Sequence, residues 1–361
     1  MTLLYTEVEE ELRASVRDLL ADRCGPDAVL KRAESAAPYD LELWKTLAHQ
    51  IGVAGLLVPE EYGGAGATAR EAAVVLEELG RAVAPVPFFT SAVLATKALL
   101  AAGDGELVQE LASGDVTAAL VVPLAASPYR PLPETVTAGE DGTLSGEVRA
   151  VAGADAASVL LVPVGAELYR VAAGDAGVEV VPSLDLTRPI ATVSFAGAPA
   201  VRVGRFDARE VLSFGAGLLA SEQLGVAEWC LDTTLAYIKE RHQFARPVGS
   251  FQAIKHRMAD LWLDVVRARA AARGAADLLA AGGAGASGDA GLAAAVAASW
   301  CSEVALHVAE ESVQLHGGIG MTWEHPVHLY LKRAKASEIA LGTPGAHREA
   351  VAELADLPGP A

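Results

Sequence analysis

Arg241, Gln243 and Phe244 stand just before a turn at Arg246, Pro247, Val248 and Gly249, and Phe251 and Gln252 then reopen a helical pattern. A guanidinium offers fixed donors that match phosphate oxygens, and a phenyl face stacks on a planar ring. The combination suits a pyrophosphate and an aromatic ring held at a helix junction. Taken alone, the same residues read more simply as a surface ion pair at Arg241 and a core side chain at Phe244. A second block, residues 314–326, shifts that balance. Gly317, Gly318 and Gly320 leave the backbone bare for close approach of a ligand, and Gln314 offers an amide one turn earlier. His316 and His325 lack an acidic or cysteine partner at the spacing of a hydrolytic metal site, so no metal is expected.

Rigid helices must place both blocks, and the C-terminal half has them. Leu224, Ala227, Leu231, Leu235 and Ile238 share one helical face, and Ile254, Met258, Leu261 and Val265 share another. Val296, Trp300, Val304 and Val308 mark a third long helix. From Thr6 to about Ser113 the pattern is also helical, with Val8, Leu12, Val16, Leu19 and Leu20 at three- and four-residue steps. Residues 59–66 interrupt it as a loop, and Pro85 and Pro87 break it again. Between about Asp115 and Val203, short runs at 119–122, 158–164 and 192–195 alternate with Gly, Pro and Asp turns, the texture of a small β-barrel or sandwich. The order predicts an α+β protein in three parts: an N-terminal helical domain (1–113), a middle β domain (114–205) and a C-terminal helical bundle (206–361). Residues 283–288 have the spacing of a dinucleotide-binding glycine loop, but no strand precedes them, and a flexible connector is the better account.

Composition narrows the partners. Lys+Arg 28 against Asp+Glu 46 gives a net charge of −18, which argues against nucleic acid and anionic membrane surfaces. With 361 residues, 52% hydrophobic and 20% charged, the chain reads as globular and long enough for two or three domains. Cys24, Cys230 and Cys301 have neither zinc spacing nor an even count, and are expected as buried free thiols in a reducing cytoplasm. The N-terminus lacks the basic start and apolar core of a signal peptide, so a cytoplasmic location is expected. The longest apolar run, near 291–300, is short of a bilayer span, and no transmembrane segment is expected. The apolar faces at 224–238 and 296–308 exceed what one core needs, which predicts a tetramer or an extensive helical dimer interface. The alternative is that these faces close on each other within one chain.

The two blocks, their separation and the helix-strand-helix order resemble the flavin-binding signatures and layout of the acyl-CoA dehydrogenase family over essentially the whole chain. Residues 58–64 (Val-Pro-Glu-Glu-Tyr-Gly-Gly), 77–80 (Glu-Glu-Leu-Gly) and Gly342-Thr343 match it as well. The resemblance implies a middle β-barrel or sandwich between N-terminal helices and a C-terminal four-helix bundle. It also implies FAD at a dimer interface, an acyl-CoA substrate, and an electron-transfer flavoprotein or similar acceptor. By that resemblance Arg241, Gln243 and Phe244 contact the dinucleotide, and Gln252 lies beside it. Gln314, Gly317 and Gly318 reach its adenosine-pyrophosphate part from the neighbouring subunit, and Thr343 contacts the flavin end. The implied reaction removes an α proton with a carboxylate and a β hydride with the flavin, giving a 2-enoyl-CoA.

The carboxylate has two known positions in this family, and here they hold Leu341 and Gly215. Neither can take a proton. Glu338, three residues before Leu341, and Glu222, two helical turns after Gly215, are weak substitutes, with surface or helix-packing roles as the alternative. The Leu341 backbone N–H is still expected to donate to a thioester carbonyl, since that contact does not depend on the side chain. Residues 121–127 replace the Thr-Glu-Pro-x-Ala-Gly-Ser-Asp strand of the family, and Lys332-Arg333-Ala334-Lys335 replaces the usual Arg-Asp-Ala-Lys. This set resembles divergent actinobacterial chains of the sterol side-chain type, in which a base-bearing and a base-less subunit form a heterotetramer. The expectation is an FAD-dependent acyl-CoA dehydrogenase subunit sharing its site with a partner in a homo- or hetero-tetramer. The alternatives are a stand-alone enzyme with a relocated base and a non-catalytic FAD- or acyl-CoA-binding scaffold.

Overall fold

Short polar side chains begin several of the helices by accepting backbone N–H groups that a first turn leaves unpaired. In the computed structural model, which describes residues 3–205, 207–282 and 287–358, Thr6 and Thr68 form capping boxes with Glu9 and Glu71 at the starts of α1 (Glu7–Arg23) and α4 (Ala69–Arg81). Helices α2 (Pro26–Ala33) and α3 (Leu41–Thr46) lie between them, and α5 (Thr96–Ala102) and α6 (Gly105–Ser113) complete the N-terminal part. The apolar run after Pro87 forms a fully buried π-helix, Phe88–Ala95, leading into α5. A run without a polar face has no period to read, and π segments are frequent at functional sites.

The middle part is a sandwich. Strands β1 (Ala118–Leu120), β4 (Val159–Val164), β5 (Glu167–Ala172) and β8 (Val201–Arg205) form one sheet in the order β1-β4-β5-β8. Strands β2 (Val136–Ala138), β3 (Thr143–Ala152), β6 (Gly177–Val181) and β7 (Ile190–Pro199) form the other, in the order β2-β3-β7-β6. Their inner faces share a core of Val121, Leu144, Val151, Leu160, Val162, Val193 and Phe195. Pairing of β3 with β7 shifts register between Val148 and Val151, and Ala150 in the bulge takes φ +58°. The bulge aims the Ala150 carbonyl at Leu124, whose N–H donates to it at 2.8 Å.

The C-terminal part contains α7 (Ala208–Glu240), α8 (Gln252–Ala280) and α9 (Ser287–His316), with the shorter α10 (Val327–Glu338) and α11 (Pro344–Leu354) packed on α9. A hairpin of β9 (His242–Gln243) and β10 (Arg246–Pro247) joins α7 to α8. Residues 283–286 of the glycine-rich stretch lie outside the described residues. The apolar faces expected to need a second subunit are satisfied inside the chain, because α7 packs along α9 and α8. Leu224, Ala227, Leu231, Ile238, Val304 and Val308 are buried, whereas Leu235 (37% exposed) and Val296 (41%) look outward. Helix Gly288–Met321 is long and apolar enough to cross a membrane, contrary to the expectation from the shorter run, but 61% of its apolar 18-residue stretch is buried within the protein. Its apolarity serves the bundle core. Cys24, Cys230 and Cys301 are buried free thiols, and burial pushes each of them up.

The middle and C-terminal parts meet on buried charge. Arg333 of α10 is 2% exposed, and its guanidinium donates to Asp185 at 2.5 Å, to Thr187 Oγ1 at 2.6 Å and to Glu222 of α7 at 3.2 Å. Arg188 donates to the same Glu222 and sits over the Phe89 ring at 5.3 Å. Burial pushes Asp185 up, but Arg333, Thr187 and Arg188 outweigh it and hold the carboxyl below its ordinary value of 3.8. Its contribution to stability is therefore present above that value and lost as pH falls through the depressed one. Arg333→Met leaves two buried carboxylates with too few cations, and is expected to cost about 3–5 kcal/mol in chemical denaturation at neutral pH. A loss under about 1 kcal/mol would contradict the role assigned to the cluster.

Candidate flavin and acyl site

The two positions at which a carboxylate was expected face each other. A Cβ placed on Gly215 would lie 2.9 Å from Leu341 Cδ1 and would collide with Leu94 Cδ2. Leu341 is 1% exposed and Leu94 is 5% exposed, so hydrocarbon fills the space in which a base would stand. Leu94 belongs to the π-helix, which is how an element with no readable period enters the site.

The backbone of Leu341 is committed too. Its N–H donates to the Leu124 carbonyl at 2.8 Å, so it is not free for a thioester carbonyl as expected. A buried N–H must find a partner, and the middle-domain segment supplies one. Leu124 in turn donates to Ala150, so a backbone relay runs from the 341 turn to the β3 bulge. Leu341 takes φ +55° and Gly342 +115°. A side chain at +55° is strained by roughly 1–2 kcal/mol, which the surrounding contacts must offset.

The substitute carboxylates are engaged elsewhere. Glu222 is 2% exposed and held by Arg188 and Arg333, and Glu338 pairs with Lys335 one turn back. Both have the helix-packing or surface role named as the alternative.

The residues expected to hold a dinucleotide gather at the far end of α7. Arg241 caps that helix and has no carboxylate partner among the described residues, while its carbonyl accepts from Val248 N–H at 2.7 Å. Phe244 and Ala245 form a two-residue hairpin turn with φ +52° and +60°. Such a turn favours Asn or Gly, and its strain here projects Phe244 outward, 87% exposed. The simpler reading, with Phe244 in the core, does not hold. Arg246 sits 3.8 Å over the Phe251 ring, and Gln252 starts α8 with its side chain exposed.

The second block lies alongside. His316 packs on Tyr237 at 4.5 Å and on His325 at 4.1 Å between ring centroids, and Thr234 bonds Ser312 at 2.7 Å. Burial pushes His325 down to about 4, so it is neutral at neutral pH. Gln314 is exposed, Gly317 takes φ +62°, and a Cβ on Gly317 or Gly318 would meet open space. An unpaired guanidinium, a bare aromatic face and open glycine backbone fit a bound dinucleotide. Thr343 is elsewhere, capping α11 beside Leu341. From Gly215 to Arg241 the helical path is about 39 Å, at a rise of ~1.5 Å per residue.

Residues 6–115 match the model of the acyl-CoA dehydrogenase N-terminal domain, and residues 204–355 match that of the C-terminal domain. The chain is 38% identical over 339 residues to the acyl-CoA dehydrogenase IpdE2 of Mycolicibacterium smegmatis, covering 94% of this chain and 96% of that one. The chain belongs to the acyl-CoA dehydrogenase family. Among solved structures this family member is similar to the ChsE4-ChsE5 complex from Mycobacterium tuberculosis, with TM-score 0.87 and 32% identity over 99% of this chain and 100% of that one. It is also similar to the Tcur3481-Tcur3483 steroid ACAD G363A variant, with TM-score 0.85 and 29% identity over 97% and 98%. Membership makes the protein a flavin-dependent oxidoreductase whose cofactor is FAD.

Sequence reasoning missed Leu94, the third wall of the base position, and the pairing of Leu341 N–H. Neither leaves a local signal, since both depend on segments far away in the chain. Gly215→Ala is expected to cost about 1–3 kcal/mol in denaturant unfolding through overpacking. Combining it with Leu341→Ala should recover part of that loss. Strict additivity of the two changes would show that the side chains do not meet.

Proposed function

We propose that this chain is the base-less subunit of a hetero-oligomeric, FAD-dependent acyl-CoA dehydrogenase, a tetramer in which the partner subunit supplies the carboxylate. The substrate is a bulky acyl-CoA, such as a sterol side-chain thioester. The observation that carries this reading is the closed hydrocarbon contact among Leu341, Leu94 and Gly215. α-Proton removal needs an acceptor for the proton, and none of these three side chains is one. The similar ChsE4-ChsE5 structure is a complex, and the Tcur3481-Tcur3483 structure is that of a steroid ACAD variant, which supports both the partner and the substrate class.

In this reading Arg241, Gln243, Phe244, Gln252, Gln314, Gly317 and Gly318 hold the adenosine and pyrophosphate half of one FAD. Thr343 contacts the flavin end of another. Gly215, which meets Leu341, and Arg241 stand ~39 Å apart along α7, and this placing of the two sets toward opposite ends of one helix supports a cofactor shared between subunits. When bound, FAD supplies the hydride acceptor. Arg130, Arg205 and Arg209 line a cleft of about 630 Å³, where guanidinium donors suit the phosphates of a CoA. The electrons pass on to an electron-transfer flavoprotein or a similar acceptor, and the assembly works in the cytoplasm. Glu222 and Glu338 are both held in ion pairs, so neither favours a lone enzyme.

Purification from the native host, with flavin counted against each chain, tests this. The expected result is one FAD per two unlike chains, with turnover by the assembly alone. One FAD per identical chain, with turnover, would establish the lone enzyme. Flavin without turnover in any assembly would establish a scaffold.

A further inference from the structure

Two side chains meet directly behind the 341–343 turn. His347 in α11 is 2% exposed, and its Nδ1 lies 2.9 Å from the Tyr129 hydroxyl, with the two rings edge to face at 5.4 Å. Burial, opposed by the backbone of Gly342 and Leu341, pushes the imidazole down to about 4, so it is neutral at neutral pH. Nε2 faces Gly342, where an added Cβ would lie 3.1 Å from it. A proton on Nε2, toward the Gly342 and Leu341 backbone, leaves Nδ1 to accept from the Tyr129 hydroxyl.

Tyr129 lies two residues past the 121–127 segment that stands where the flavin-side strand was expected. With Asp207 and Arg209 it lines two cavities of about 630 and 690 Å³. A turn with Leu341 at φ +55° and Gly342 at +115° persists only where its surroundings over-determine it. On one side the Leu124 carbonyl holds Leu341 N–H, and on the other His347 stands against Gly342. His347 N–H also donates to the Thr343 carbonyl at 3.0 Å, so the ring is carried on the helix that Thr343 caps.

We infer that Tyr129 and His347 are a positioning pair for the flavin end of the site: their hydrogen bond fixes the 341–342 turn and, through it, Thr343. The inference rests on the flavin placement at Thr343 proposed above. Neither residue replaces the missing base. Nδ1 is already engaged, and the phenol, pushed up to about 12 by burial, keeps its proton.

The test uses the FAD-loaded complex carrying Tyr129→Phe, His347→Ala, both together, His347→Asn, or Thr343→Val. His347→Asn keeps an acceptor at the δ position. The readouts are the rate of flavin release, followed by its fluorescence, and the shape of the bound flavin's visible band. Tyr129→Phe and His347→Ala are each expected to speed release about tenfold, the loss of one hydrogen bond. The double variant should be no faster than either single one, and His347→Asn should stay close to the native rate. A native rate in Tyr129→Phe, or a double variant about a hundredfold faster, would overturn the pair, since independent residues add. If Thr343→Val speeds release and Tyr129→Phe does not, the flavin placement stands and the pair falls. If neither does, the placement falls and takes the pair with it.

Discussion

A buried ionic cluster holds the site in register. Arg333, Arg188, Asp185 and Glu222 come from the middle part, α7 and α10, and their charges cancel where no water helps. Two cations and two carboxylates in such surroundings must be hydrogen-bonded in one arrangement, since a slip of any element would strand a charge. Gln223 adds a bond from α7 to the Ser337 carbonyl of α10 at 2.9 Å. The chain leaves α10 at Glu338 and reaches Leu341 three residues later, while Glu222 lies two helical turns from Gly215. Fixing Glu222 against Arg333 therefore fixes Leu341 against Gly215.

That constraint gives the missing carboxylate its meaning. Had the 341 turn been loosely held, a nearby glutamate could have swung into place. Instead the turn is tied by Leu124 and stands against His347, its side chain and Leu94 close over Gly215, and Glu222 and Glu338 are paired with arginine or lysine. The fold keeps the acyl-CoA dehydrogenase frame and packs hydrocarbon where the proposed reading looks for a base. At the other end of α7 the strained hairpin presents Phe244 to solvent, as the proposed dinucleotide contact needs.

Much of this was legible in the sequence for specific reasons. Leu341 and Gly215 are substitutions of type at positions with a chemical requirement, so they show without any structure. The flavin blocks are contiguous, and glycine, arginine and phenylalanine at a helix junction keep their meaning locally. Arg333 was visible as a departure, but its partners were not, because Asp185 and Arg188 lie in a turn after β6 that no local pattern links to α10. Tyr129 and His347 are 218 residues apart and likewise invisible. The fate of the apolar faces on α7 and α9 was misjudged. Periodicity says which face is apolar, but not whether a neighbouring helix or another subunit covers it.

On the proposed reading, nothing at the Leu341–Gly215 contact takes a proton from a substrate. Exchange of the acyl α-hydrogen with deuterated water, read by mass spectrometry on a saturated acyl-CoA, measures that step without an electron acceptor. The chain alone should exchange at the background rate, and the complex with its partner about 10²–10⁴ times faster, the usual worth of a positioned base. Exchange by the isolated chain at the rate of the complex would contradict the account.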